Sequence, residues 1–510
     1  MKTKVMAILL VLCMAAALMT GCGSNAGTST GESAASDAAS ELTVAIDADI
    51  DTLHPSDFST TVELNVLNQL YDTLMYMNPD ETHDPEPRIA ESYSISDDGL
   101  DYTFNLRKDA TFQNGTPITA KDVVFSIGLY QQSEYQGYEV DGLASAEAAD
   151  DYTVVCHLDT AYSPFLLGIC NVHIASEDYY NQSAEDFVNS PVGSGPYKFV
   201  SREVGSNVIL EAYDNYYRGE ASIRKITFEV VPDDSTMAIA LQTKEIDFAS
   251  IEAASLAQLE ANKDLTIQRV ETSAFSYVCM NLEKAPFDNV LVREAVNYAV
   301  NRENVVAVCY DGEAEVNSNI CAKTRMGYSD SQLQYNYDPE KAVALLAEAG
   351  IETPYDLGTM LVAEKYSNLA TVIQADLAAV GLNVTIDVRE FNSYIGDLVD
   401  GNYTISVLNM TLDGDTQALQ MAFTTEYIGM ANNARYSDPD MDAIFTQTLT
   451  ETDTTKRTEL FGQAFEKAQE EAIYAVLCNP LNLFAYNAKL NVPTIAFEGA
   501  YFVYDFSWAA

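Results

Sequence analysis

Between about residue 270 and residue 410 the apolar residues follow two periods in turn, and that alternation restricts the fold more than any other feature. Val292, Ala295, Val296, Ala299 and Val300 share one face of a helix, whereas residues 382–388 (LNVTIDV) alternate at the strand period of two. Asp338 followed by Pro339 opens a further helix, since Asp accepts first-turn amides and Pro is tolerated at the first helical position; Gly350 closes it. Residues 369–380 predict a helix halted at Gly381, and residues 403–408 predict another strand. Helices and strands of these lengths in alternation predict an α/β body with helices packed on a sheet. Upstream, residues 42–46, 101–106, 152–158, 197–200 and 226–230 read as strands. Residues 61–76 and 120–131 read as helices, the second opened by Thr119 and Asp122 in a variant capping box. No repeat with a period of about 20–50 residues recurs, which excludes a solenoid.

The N-terminus is a different kind of sequence. Lys2 and Lys4 precede an apolar run over 5–19 that is shorter than the roughly 20 residues a membrane span needs. It matches the apolar region of an export signal. Ala15-Ala16-Ala17 offers an ordinary cleavage site, and Met19-Thr20-Gly21-Cys22 resembles the bacterial lipobox, in which the cysteine is diacylated. The second reading makes residues 1–21 the signal peptide and Cys22 the lipid anchor, and two acyl chains hold a protein stably at a membrane. Residues 22–40 are rich in Gly, Ser, Thr and Ala without periodicity, the composition of a flexible tether. The GTSTG at 27–31 matches a hydrolase elbow in letters only, because no strand or helix is predicted beside it.

Charge and residue counts exclude further classes. The 510 residues carry 76 acidic against 27 basic side chains, a formal charge of −49 that repels polyphosphates and argues against nucleic acid. Four scattered histidines make no metal-ligand pattern, and no metal or other cofactor is expected. Asp47, Asp49 and Asp51 have calcium-loop spacing, but Thr52 replaces the required Gly and Phe58 the closing Glu. Six cysteines remain beyond the leader and Cys22, none as Cys-x-x-Cys; spacing leaves disulfides and buried free thiols both open. Gly193-Ser-Gly-Pro196 reads as a structural turn before a strand.

DTLHP at 51–55, QLYDTLM at 69–75, residues 87–126 around QNGTPITAKDVV, PVGSGPYKF at 191–199, residues 215–234 and PFDNVLVREAVNYAVNRENVV at 286–306 follow one another along the chain. Together they resemble one family, the extracytoplasmic solute-binding proteins of ABC importers for peptides, nickel chelates or oligosaccharides (family 5). The resemblance implies a two-lobed periplasmic-binding-protein-like fold with a hinge and an extra subdomain. Its first lobe would comprise 41–62, 192–272 and 480–510, its extra subdomain 63–191 and its second lobe 273–479. The implied function is capture of a solute, a di- or oligopeptide first, between lobes that shut and deliver it to ABC permease subunits. The protein would be a monomer on the outer face of the cell membrane and would not be an enzyme. An oligosaccharide or metal chelate as ligand, and a sensor without transport, share these features. An exported hydrolase lacks an evident base.

In peptide-binding relatives an Asp in a Trp-x-x-Asp segment after a second-lobe strand meets the peptide amine. Residues 409–415 resemble that segment, with Asp413 at the carboxylate position and Met410 in place of the Trp, a departure that removes an aromatic wall. A polar turn around Gly414 is the alternative role for Asp413 and Asp415. Arg325 or Lys323, in a loop that approaches the cleft in relatives, would meet a ligand carboxylate or else stay a solvated surface charge.

Overall fold

The computed structural model describes residues 40–76, 85–323, 325–411, 415–495 and 499–509. The leader, Cys22, the GTSTG stretch and Asp413 lie outside the described residues. Among those described, the strands build two large mixed sheets, a smaller antiparallel one and two two-stranded ribbons. The first runs, edge to edge, Leu265–Val270, Asn482–Asn487, Phe248–Ile251, Glu41–Ile46, Lys225–Val230, Asn207–Ala212 and Tyr197–Glu203. The second runs Ala314–Val316, Tyr474–Pro480, Phe275–Met280, Ile405–Met410, Tyr355–Ala363 and Leu382–Arg389. The third contains Ala90–Ile95, Asp101–Leu106, Thr153–Leu158 and Leu143–Asp150.

Burial follows the alternation of each strand. In the six-stranded sheet, Val278, Met280, Ile405 and Val407 enter one apolar cluster, and Phe275, Tyr277, Cys279 and Leu408 enter the cluster on the opposite face. A sheet covered on both faces explains why Phe275–Met280 is apolar at nearly every position. The four-stranded sheet buries Val154, Cys156 and Leu158 on one face, while its edge strand Leu143–Asp150 is largely exposed.

Most expected elements stand within a few residues of their predicted bounds. The Asp338 carboxylate accepts the Lys341 amide at 2.9 Å and caps the helix Pro339–Glu348. The Asp122 carboxylate accepts the Thr119 N–H and hydroxyl at 2.9 and 2.8 Å. The helix expected over 61–76 ends at Leu70. There the Leu70 carbonyl accepts the Gly195 N–H at 2.9 Å and the Gln113 side-chain amide, also at 2.9 Å. A Cβ on Gly193 would stand 1.9 Å from that carbonyl oxygen, so the Gly-Ser-Gly turn is a structural one that seats on the helix end. The strand expected over 403–408 is displaced to Ile405–Met410, which puts Met410 inside the sheet. Among the described residues no helix is long and apolar enough to cross a membrane.

Candidate functional site

Two crossings join the large sheets. Residues 271–274 lead from Leu265–Val270 into Phe275–Met280, and Leu481 leads from Tyr474–Pro480 into Asn482–Asn487. The Thr272 hydroxyl donates to Pro480 O at 2.7 Å, and Asn479 Nδ2 donates to Ala274 O at 2.9 Å, tying the crossings together. Arg269 Nε reaches Glu313 Oε2 at 2.7 Å beside them.

Both crossings leave the same edge of the six-stranded sheet. Ile405–Met410 is antiparallel to Phe275–Met280 with Met410 opposite Phe275, so it ends at that edge. Tyr355–Ala363 runs parallel to Ile405–Met410 and ends there too. The carboxyl ends of adjacent parallel strands are where open α/β sheets take ligands, because the following loops diverge and leave a crevice. A cavity of about 510 Å³ opens at this place, within the range of about 300–1,000 Å³ usual for small-molecule sites.

Four elements line it. Cys309 and Tyr310 come from the end of helix Arg302–Cys309, Lys365 and Tyr366 from the exit of Tyr355–Ala363, and Asn409 and Thr411 from the exit of Ile405–Met410. Asn368 and Leu369, in the first turn of helix Ser367–Ala379, complete the wall. The Lys365 ammonium stands 4.9 Å from the Tyr366 ring centroid and 4.4 Å from that of Phe391, faces that attract a cation. The Ser367–Ala379 helix has no side-chain cap, so its positive dipole end adds to the Lys365 charge. Lys365 is the one charged side chain among the described lining residues. Burial pushes the Tyr310 phenol up to about 12, which keeps it a neutral donor, and burial also raises the Cys309 thiol and keeps it protonated. Among the described lining residues none is a histidine or a carboxylate, and the polar groups are amides, hydroxyls and one ammonium. Such a wall offers hydrogen-bonding groups of both kinds and one positive charge.

The residues singled out from sequence fall in different places. Met410 pairs with Phe275 and packs against the cluster on the sheet face opposite Asn409, so it does not line the cavity. Arg325 is 5% exposed and its amide donates to Ala322 O, which corrects the expectation of a solvated charge. Lys323 is on the surface, 3.6 Å from Glu315. Asp415 caps the turn beginning at Thr416 and forms a buried pair with Arg457 at 2.6 Å, a structural role. Thr411, two residues before Asp413, lines the cavity. Sequence reasoning missed Lys365, Tyr366, Tyr310 and Asn409. The available signal was positional for three of them: Asn409 stands at the carboxyl end of one strand of a parallel pair, and Lys365 and Tyr366 follow the other. The six body cysteines are free thiols, five of them buried.

Comparison with known proteins gives one assignment over most of the chain. The family "Bacterial extracellular solute-binding proteins, family 5 Middle" matches residues 84–429. Heme-binding protein A of Haemophilus influenzae is 31% identical over 432 residues, covering 78% of this chain and 79% of that protein. The dipeptide-binding protein of Escherichia coli K12 is 30% identical over 418 residues, 74% and 78% of the two chains. The solved structure of HbpA2 from Haemophilus parasuis superposes with a TM-score of 0.84 at 25% identity, over 92% of this chain and 100% of that one. The α/β, two-lobed binding-protein fold expected from the sequence is thus the fold of this chain, which belongs to the bacterial extracellular solute-binding proteins of family 5, the substrate receptors of ABC importers.

Proposed function

We propose that this protein is a lipid-anchored receptor that captures a di- or oligopeptide and hands it to ABC permease subunits without altering it. The observation that carries the reading is the cavity at the crossing edge of the six-stranded sheet, with Lys365 as its cation and amides and hydroxyls around it. A peptide offers a carboxylate for Lys365, while its amine requires a carboxylate partner. Asp413 fills that role in this reading, two residues beyond the cavity-lining Thr411. Residues 41–62, 192–272 and 480–510 act as the first lobe, 63–191 as the extra subdomain and 273–479 as the second lobe, closing about the crossings at 271–274 and Leu481. Cys22 carries the acyl chains on the outer face of the membrane, and residues 23–40 tether a monomer to it. The similarity to a dipeptide-binding protein supports the peptide reading, and the similarity to a heme-binding protein favours a chelate as the second one.

Calorimetry with a dipeptide panel and with hemin separates the two, and native mass spectrometry of freshly purified protein reports any solute that co-purifies. Under the peptide reading dipeptides bind, and Asp413→Asn weakens them more than about tenfold, the cost of losing one charge-assisted bond. Hemin binding without dipeptide binding rejects it. Cys22→Ser is expected to release the protein from the membrane, and retention removes the anchor.

A further inference from the structure

The orientation of Asn409 deepens this reading, on which it rests in part, by specifying what the cavity demands of its solute. Along Ile405–Met410 the side chains alternate, and Asn409 continues the face of Ile405 and Val407 into the cavity. Its carboxamide is not free to turn. Ser276 Oγ donates to Asn409 Oδ1 at 2.6 Å, and the Tyr310 hydroxyl donates to the same oxygen at 3.2 Å. The Ser276 and Tyr310 hydroxyls also touch one another; with one hydrogen each they supply two bonds among these three oxygens, at least one of which ends on Asn409 Oδ1. Ser276 is fully buried at the start of Phe275–Met280, directly opposite Asn409 in the strand register. A primary amide has one acceptor oxygen and a nitrogen with two donor hydrogens. The oxygen is committed to the cluster, so the nitrogen is turned to the cavity, where among the described residues no acceptor engages it.

We infer that Asn409 is a specificity-determining donor: its Nδ2 requires a carbonyl or carboxylate oxygen of the solute, and Ser276 and Tyr310 are the positioning residues that hold it in that sense. The physical ground is the asymmetry of buried polar groups. An unpaired N–H costs little while water reaches it, but closure removes the water, and a solute without an acceptor at that point leaves the donor unsatisfied. Lys365 on the same wall makes the preferred acceptor an anionic one.

Binding measured on the full-length chain with alanyl-leucine and with alanyl-leucinamide tests this. The wild type should prefer the free acid by about tenfold or more, as expected for a hydrogen bond to a charged group. Asn409→Asp keeps an oxygen for Ser276 and Tyr310 but replaces the donor by an acceptor, so it should reverse the order and favour the amide. Ser276→Ala and Tyr310→Phe should shrink the preference toward parity, whereas a purely structural role would weaken both probes equally. An Asn409→Asp protein that keeps the wild-type order overturns the inference. If hemin binds and neither dipeptide does, the peptide reading fails and this one is judged separately. Hemin also carries carboxylates, so Asn409→Asp should then weaken it about tenfold, and unchanged hemin affinity overturns the inference. A wild-type chain that takes none of the three probes overturns both.

Discussion

His173 is 1% exposed and joins three segments: its Nδ1 lies 3.1 Å from Pro55 O and 3.2 Å from the Tyr130 hydroxyl, and its Nε2 3.1 Å from Asn68 Oδ1. Burial pulls its pKa down to about 4, against smaller opposing effects of the Pro55 carbonyl and Asp72. An unfolded histidine titrates near 6.5. Below that pH the unfolded chain binds a proton that the folded one refuses, so stability falls as pH drops from 6.5 toward 4 and this contribution levels off below. The loss amounts to about 2 kcal/mol between pH 6.5 and 5. His173→Gln should flatten that part of the profile in denaturant unfolding, and an unchanged slope would assign it to other groups. This histidine shows what single residues disclosed. Its isolation in the sequence gave no metal-ligand pattern, and its partners are 43 to 118 positions away and invisible to spacing. The same holds for the cavity. Lys365 looks like any surface lysine until the strand before it is known to end beside Ile405–Met410.

At the scale of elements, the stretch 286–306 shows why a long motif was readable while its purpose was not. Helix Val290–Ala299 and helix Arg302–Cys309 carry Arg293, Asn297 and Arg302, three buried polar side chains that reach the strand Tyr474–Pro480 or, for Arg293, Glu471 just before it. Arg293 donates to Glu471 O, Asn297 to Tyr474 O and Arg302 to Val476 O, at 3.0, 3.2 and 2.6 Å. Arg302 also donates to Asn297 O and Tyr335 O. These are backbone carbonyls that no local pattern could nominate, which is why the helices were legible and their fastening was not. Burial lowers the Arg302 pKa to about 10, so the guanidinium stays charged and each carbonyl keeps its donor at neutral pH. Arg302→Met leaves several buried carbonyls unpaired and should cost roughly 3 kcal/mol or more in urea unfolding. Arg302→Lys should recover only part, since an ammonium lacks the planar fork that spans these acceptors. A methionine variant within about 1 kcal/mol of wild type would show that water replaces the lost bonds. Helix caps were legible for the opposite reason. Asp338 and Asp122 act on atoms within three residues, so their chemistry is written in adjacent letters.

For the molecule as a whole, the α/β class and the family were readable because the motifs recur in order over most of the chain, whereas contacts between distant segments were not. One such contact bears on closure. The Ser163 amide donates to Leu449 O at 2.7 Å, and its hydroxyl donates to Glu451 O. These bonds join the loop after the four-stranded sheet to the turn between helices Pro439–Thr450 and Thr454–Glu470. Gly99, with φ +72°, fits against the same turn, where an added Cβ would lie 3.3 Å from Thr452 Cγ2. The clasp and the crossings at 271–274 and Leu481 therefore restrain the six-stranded sheet at separate places in the sequence. A receptor that shuts on its solute gains affinity only from contacts that differ between open and shut states. Ser163→Ala removes the hydroxyl bond, and Ser163→Pro removes the amide bond as well. If the clasp holds the shut state, the proline variant should release a bound solute faster with little change in association rate, and the alanine variant should fall between it and wild type. Small-angle scattering of the ligand-free chain should show a larger radius of gyration in the same order. Variants that fold normally yet match wild type in both release rate and radius would show that the bonds at Ser163 do not restrain opening, leaving the crossings and the solute itself to set the shut state.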